Sequence, residues 1–240
     1  MTIGPYDNGH IPSTLSARAF AALRAAILAG ELAPGSRLDV TTLARQLAMS
    51  PMPVREAVRQ LDALGLVQHR PHRGARVTEL SVDDLREVYT ARLALELTAV
   101  AAAAGRFTEE HAEQAARSLS HTVSAEEASD HNASWAADEE FHFAIYGAAG
   151  SPWLLRVIRP LWETSERYRR LSLSPARDFR ERHSEHMGIL EACVLRDQDL
   201  AADRLGAHLA RSANRLAAAL GSPPLFSETE KVCLPVPQPL

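Results

Sequence analysis

The stretch SPMPVREA, from Ser50 to Ala57, decides how the 240-residue chain is read. Ser50 suits a helix N-cap, and Pro51 suits the first helical position, where its missing N–H would have no intrahelical partner. Pro53 is tolerated within the same first turn. From there Val54, Ala57, Val58 and Leu61 recur at helical spacing, leaving Arg55, Glu56, Arg59 and Gln60 off the stripe. One face of this helix packs, and the other can meet an external partner.

Immediately upstream, Ala48-Met49 is a tight link from a second short helix, about Val40 to Leu47 (VTTLARQL). Two short helices joined by so few residues match a helix-turn-helix, whose second helix normally enters the DNA major groove. Before them, Glu31 to Leu38 (ELAPGSRL) carries a Pro-Gly turn signal. Leu15, Ala19, Ala22, Leu23, Ala26 and Ile27 form a further helical stripe ending at Gly30. Residues 1–12 mix Gly, Pro, Asn and Asp without periodicity and read as a flexible arm. Downstream, Gly65 closes a turn, and Leu66–Arg70 and Ala75–Thr78 flank Pro71-His72-Arg73-Gly74. This predicts a two-stranded hairpin with a basic tip, the wing of a winged helix-turn-helix.

Charge divides the chain along the same boundary. Residues 13–79 hold nine Arg and no Lys against five acids, a balance of +4. Residues 80–240 hold 17 basic and 24 acidic side chains, −7, and Asp7 completes the net −4. A basic module for a polyanion, joined to an acidic body with another task, fits this split. The two cysteines, Cys193 and Cys233, are too few for a disulfide framework, and no signal pattern or apolar run of spanning length appears, so the cytoplasm is the expected compartment and no membrane partner is expected.

From Ser81 onward the periodicity is helical throughout. Helices are expected over Val82–Ala104, Thr108 to about Ala125, Glu126–Ala149, Trp153–Leu171, Ala176–Leu195 and Asp199–Leu220. This predicts an all-α antiparallel bundle over 80–220, followed by a Pro-rich, compositionally disordered tail over 221–240. The fold class is therefore mainly α: an N-terminal winged helix-turn-helix over 13–79, then the bundle.

Within the bundle, Asp138 and His142 stand four residues apart, on one helix face, as two ligands of one metal would. His186 and His208, on the last two helices, could complete the set if a turn near Arg196–Gln198 brings those helices antiparallel. One carboxylate and three imidazoles suit a divalent ion such as Zn, Ni or Mn. The competing reading is that these histidines are exposed or satisfied in a core.

Several spaced motifs resemble one family. LRAAILAGELAPGSRL, LARQLAMSPMPVREAVRQLDALGLV and RPHRGARV, in that order, resemble the DNA-binding domain of the GntR family of bacterial transcription regulators. The resemblance implies that Arg55 reads a base or grips a phosphate, and that the wing residues His72, Arg73 and Gly74 approach the minor groove. It also implies a DNA surface that includes Thr41, Ser50, Met52 and Arg59. Family members usually carry Arg-Thr after the capping serine, where this chain has Pro51-Met52, so a usual contacting arginine is absent. A winged helix serving only protein contacts is the alternative for this segment.

The body resembles the FCD effector domain of the FadR-like branch, through Arg92-x-x-x-Glu96, Asp138-x-x-x-His142, Glu185-His186 and His208-Leu209. That resemblance implies a metal held by Asp138, His142, His186 and His208, with His183 the rival of His186, and a small organic acid held on the metal. Arg92 is the expected receptor of the acid's carboxylate, against the simpler reading of an Arg92–Glu96 pair on the helix surface. Tyr168, Arg169 and Arg170 are further candidates for the effector cavity. Trp135, Trp153 and Trp162 are expected to pack. The implied function is a homodimeric regulator, expected to be a repressor, on a palindromic operator. The alternative is a metal-dependent hydrolase, which lacks an HExxH-type arrangement and whose nearest carboxylate, Glu139, turns about 100° away from Asp138.

Overall fold

The computed structural model describes residues 14–70, 74–172 and 179–227, apart from the side chains of Arg70, Leu171 and Ser172. Among these residues the order is α1 (Leu15–Leu28), β1 (Arg37–Leu38), α2 (Val40–Gln46), α3 (Pro51–Ala63), β2 (Val67–Arg70), β3 (Gly74–Val77), α4 (Val82–Ala104), α5 (Glu109–Glu127), α6 (His131–Gly147), α7 (Pro152–Ser172), α8 (Phe179–Val194) and α9 (Gln198–Ala219). The chain divides into two compact units, Met1–Ser81 with Glu163–Leu171, and Val82–Trp162 with Ser172–Leu240.

In the first unit, Thr14 caps α1 by accepting from the Ala17 N–H, and Asp39 caps α2 by accepting from Thr41 and Thr42. The turn between α2 and α3 is set by Ala48 in the left-handed region (φ 52), which brings the Met49 N–H back to the Ala44 carbonyl. Ser50 occupies the N-cap of α3, but its side chain makes no capping bond. An N-cap oxygen accepts from the second or third helical N–H; at the third position Pro53 has none, which leaves Met52 as the one remaining donor.

β2 and β3 form the expected antiparallel hairpin, with Gly74 at φ 76 opening β3. β1, two residues inside the segment read only as a turn, pairs antiparallel with β3, so the sheet order is β1-β3-β2. A two-residue strand is too short to leave an alternation to read. The core holds Leu23, Ile27, Leu43, Val54, Val58, Leu61, Leu66 and Val77.

The Glu163–Leu171 part of α7 belongs to this unit because polar side chains tie it there. Arg24 Nε donates to Glu163 at 3.2 Å, the Arg167 guanidinium donates to the Thr78 carbonyl, and the Tyr168 hydroxyl accepts from the Ser81 N–H and donates to its carbonyl. A boundary drawn at residue 79 leaves this piece out.

In the second unit α4 packs on α9, α5 on α6, and α8 on α9. Ala99, Ala103 and Ala104 are fully buried, so the alanine run lets α4 approach its neighbours closely. The break between α5 and α6 lies at Ala128-Ser129-Asp130, with Ser129 at φ 56 and Asp130 capping α6, later than the expected boundary at Glu126. A second left-handed residue, Arg196 (φ 56), makes the turn from α8 to α9. After α9, Asn214 holds the first residues assigned to the tail: its Oδ1 accepts from Leu225 and Phe226, and its Nδ2 donates to the Phe226 carbonyl. Among the described residues no helix is long and apolar enough to cross a membrane.

Candidate functional site

Steps of four residues place Asp138, His142 and Tyr146 on one face of α6, and all three are buried. α8 contributes His186 and α9 contributes His208, both buried. The antiparallel turn at Arg196 is what lets the last two meet. Ring nitrogens of His142, His186 and His208 lie within 4.8 Å of one another. His142 Nε2 stands 3.1 Å from His186 Nε2, and Asp138 Oδ1 stands 3.6 Å from His186 Nε2. His183 is not part of this group; its Nδ1 is buried without a hydrogen-bond partner.

Neighbouring side chains fix the proton on two of these rings. The Tyr146 hydroxyl donates to Glu96 at 2.6 Å, so its oxygen accepts from His142 Nδ1 at 3.2 Å. His142 therefore carries its proton on Nδ1 and turns the lone pair of Nε2 toward the centre. On the far side, His208 Nδ1 lies 2.6 Å from Glu185 Oε2. Glu185 is buried, which opposes ionisation, but its bonds to His208 and Arg211 and the nearby Arg215 outweigh this and hold its pKa near 2. An ionised carboxylate only accepts, so His208 Nδ1 is the donor. This arrangement of outer acceptors is the one that orients metal-ligating imidazoles.

Burial keeps His142 and His186 neutral. Desolvation first, and the adjoining imidazoles after it, press His142 well below 6.5 and His186 down to about 3. Trp162 packs 4.8 Å from the His142 ring and Phe141 4.8 Å from the His186 ring.

Arg92 and Tyr168, both expected at the effector, are already engaged. Arg92 does pair with Glu96, as the simpler reading had it, but inside the core: Nε donates to Oε1 at 2.6 Å and the fork's other arm to Oε2 at 3.2 Å. Its guanidinium lies over the Tyr89 and Trp162 rings. Tyr168 and Arg169 are buried and belong to the first unit, where Tyr168 engages its hydroxyl with Ser81. Trp135 and Trp162 pack as expected; Trp153, in the first turn of α7, is 71% exposed, with Arg156 over its ring.

On α3, Ser50, Met52, Arg55 and Arg59 are all exposed, as is Thr41 on α2. Val54, Ala57, Val58 and Leu61 are buried, so the helix has the packed and open faces its periodicity predicts. Gly74 needs its glycine for its backbone angle, since a Cβ there would approach nothing nearer than 3.9 Å. His72 and Arg73 lie outside the described residues.

Three neighbours of the histidine group, Glu96, Tyr146 and Glu185, are given no part in holding these rings by the sequence reading, although Glu96 and Glu185 stand in its motifs. Tyr146 was open to detection, because it continues the four-residue step from Asp138 through His142. Glu185 was visible only as the neighbour of His186; that it serves His208 depends on packing between α8 and α9.

Comparison with known proteins agrees with both halves. A model of the "FCD domain" matches residues 87–211, and one of "Bacterial regulatory proteins, gntR family" matches residues 15–77. The chain is 33% identical over 199 residues to the HTH-type transcriptional regulator BphR of Paraburkholderia xenovorans, covering 80% of this chain and 81% of that one. It is 28% identical to the HTH-type transcriptional repressor GlaR of Escherichia coli, over 76% and 87% of the two chains. Among solved structures, Escherichia coli McbR/YncC superposes with a TM-score of 0.75 at 26% identity, covering 87% of this chain and all of that one. These relatives are regulators and not enzymes. The chain therefore belongs to the gntR family of bacterial regulatory proteins, with an FCD domain after its winged helix-turn-helix, and is a DNA-binding transcriptional regulator.

Proposed function

We propose that the operator affinity of this regulator is controlled by a small carboxylate effector held, through a divalent metal, at Asp138, His142, His186 and His208. The observation that carries the reading is the convergence of three buried imidazoles, two of them with Nδ1 committed to an outer acceptor. Neutral imidazole nitrogens beside a carboxylate suit Zn, Ni or Mn, so the residues present fit such an ion. Bound there, it would supply a Lewis-acid anchor for an effector carboxylate. Tyr146 and Glu185 hold the two imidazoles in the ligating tautomer, and Trp162 and Phe141 keep water from the rings.

The protein acts as a homodimer on a palindromic operator, with α3 entering the major groove through Arg55 and Arg59, and the wing reaching the minor groove through His72, Arg73 and Gly74. Thr41, Ser50 and Met52 complete the contact surface. Repression is the favoured mode: relatives such as GlaR and RspR are named repressors. The effector shifts DNA binding only by its differential affinity for two arrangements of the dimer, commonly about 1–3 kcal/mol.

The test is elemental analysis after dialysis against zinc. Wild-type chains should retain about one ion each, and a His142→Ala, His208→Ala double variant should retain none; equal zinc in both would refute the site.

A further inference from the structure

Arg182 lies one helical turn before His186 on α8, and its side chain is 11% exposed. Its Nε stands 4.0 Å from Asp138 Oδ1, the same oxygen that lies 3.6 Å from His186 Nε2. Its outer nitrogen stands 3.7 Å from Glu126 Oε1. Both distances exceed hydrogen-bond reach, and Glu126 is already engaged, accepting from the Ser134 hydroxyl at 2.5 Å. The guanidinium is flanked by the Trp135 and Phe179 rings, at 5.7 and 5.9 Å.

The contrast with Arg92 decides between the two arginines. Arg92 has its fork closed by Glu96, and opening that pair would leave a carboxylate uncompensated in the core, a costly event. Arg182 has charge nearby but no closed fork. A planar guanidinium with its fork not closed by a carboxylate, over two aromatic rings and beside Asp138, is suited to a bidentate carboxylate.

We propose that Arg182, and not Arg92, is the receptor for the carboxylate of the effector, which it holds beside the metal cluster. The assignment rests on the metal-and-carboxylate reading above and adds to it the residue that selects an anion. A lysine at this position keeps the charge but loses the fork, so it should hold a carboxylate less well.

Acetate serves as the probe. Wild type, Arg182→Gln, Arg182→Lys and Arg92→Lys are stripped with chelator, reloaded with zinc, and assayed for zinc content and helicity. Thermal unfolding then follows in sodium acetate and, at equal ionic strength, in sodium chloride. The expected result is zinc loading in wild type and both Arg182 variants, an acetate-specific rise in Tm in wild type, loss of that rise in Arg182→Gln, and a smaller rise in Arg182→Lys. Arg92→Lys should keep the rise even where its starting Tm is lower. An equal acetate effect in wild type and Arg182→Gln, or no acetate effect in zinc-loaded wild type, overturns the assignment alone. Failure of wild type to hold zinc overturns the underlying metal reading.

Discussion

Tyr146 stands between a carboxylate and an imidazole, and its one proton decides the tautomer of His142. Tyr146→Phe leaves His142 Nδ1 without its acceptor while preserving the ring's packing. Loss of such an outer partner typically weakens metal binding about 10–100-fold. Competition against a chromophoric chelator would measure it, and an unchanged zinc affinity would remove Tyr146 from the site. Protonation bears on the same residues in the metal-free chain. His186 titrates near 3 when folded and returns to about 6.5 when unfolded. At pH 7 both states are neutral there. Between these values the unfolded chain takes up a proton that the folded chain refuses, so stability falls as pH falls, by about 1.4 kcal/mol per pH unit for each such histidine. Denaturation midpoints of metal-free protein at pH 7 and pH 5 should show the drop; equal midpoints would contradict it. At this scale the sequence disclosed that Asp138 and His142 share a face of α6, because they are local neighbours. It could not disclose the Glu185–His208 contact, which joins residues 23 positions apart on different helices.

For elements, the N-terminus of α3 shows how a local rule can be met in form and not in bonding. Ser50 stands at the cap, yet its side chain makes no capping bond, and one of its two usual donors is missing at Pro53. Ser50→Ala should therefore cost much less than the ~1 kcal/mol usual for an N-cap serine, and lower DNA affinity more than it lowers stability. Parallel urea unfolding and gel-shift titrations would separate the two effects; a large stability loss would restore the capping role. Arg55→Ala, on the exposed face of the same helix, should abolish operator binding in the gel shift with helicity unchanged. Helix identity was well marked throughout, since long stripes with caps such as Thr108 delimit α5; α9, expected from Asp199, is capped two residues earlier by Asp197. What eluded local reading was short or conformationally unusual: the two residues of β1, and the left-handed Ser129 that moves the α5–α6 break beyond Glu126.

The whole molecule carries its charge unevenly, and DNA binding should report it. Affinity for operator should fall steeply with added salt, and Arg59→Ala should flatten the slope of log Kd against log salt by about one. A slope unaltered by the substitution would take Arg59 off the phosphates. The two-part organisation itself was legible from this charge split and from the change in periodicity near Ser81. The membership of Glu163–Leu171 in the first unit was not, because Arg24 and Glu163 are 139 residues apart and only folding joins them. That separation has a consequence during synthesis. The DNA-binding unit emerges first from the ribosome, but Glu163 follows Arg24 only after roughly 7–28 s at translation rates of about 5–20 residues per second. Until then the surface that receives α7 is bare, so a nascent chain stalled between these residues presents an unfinished reading head, and competence for operator arrives late in translation.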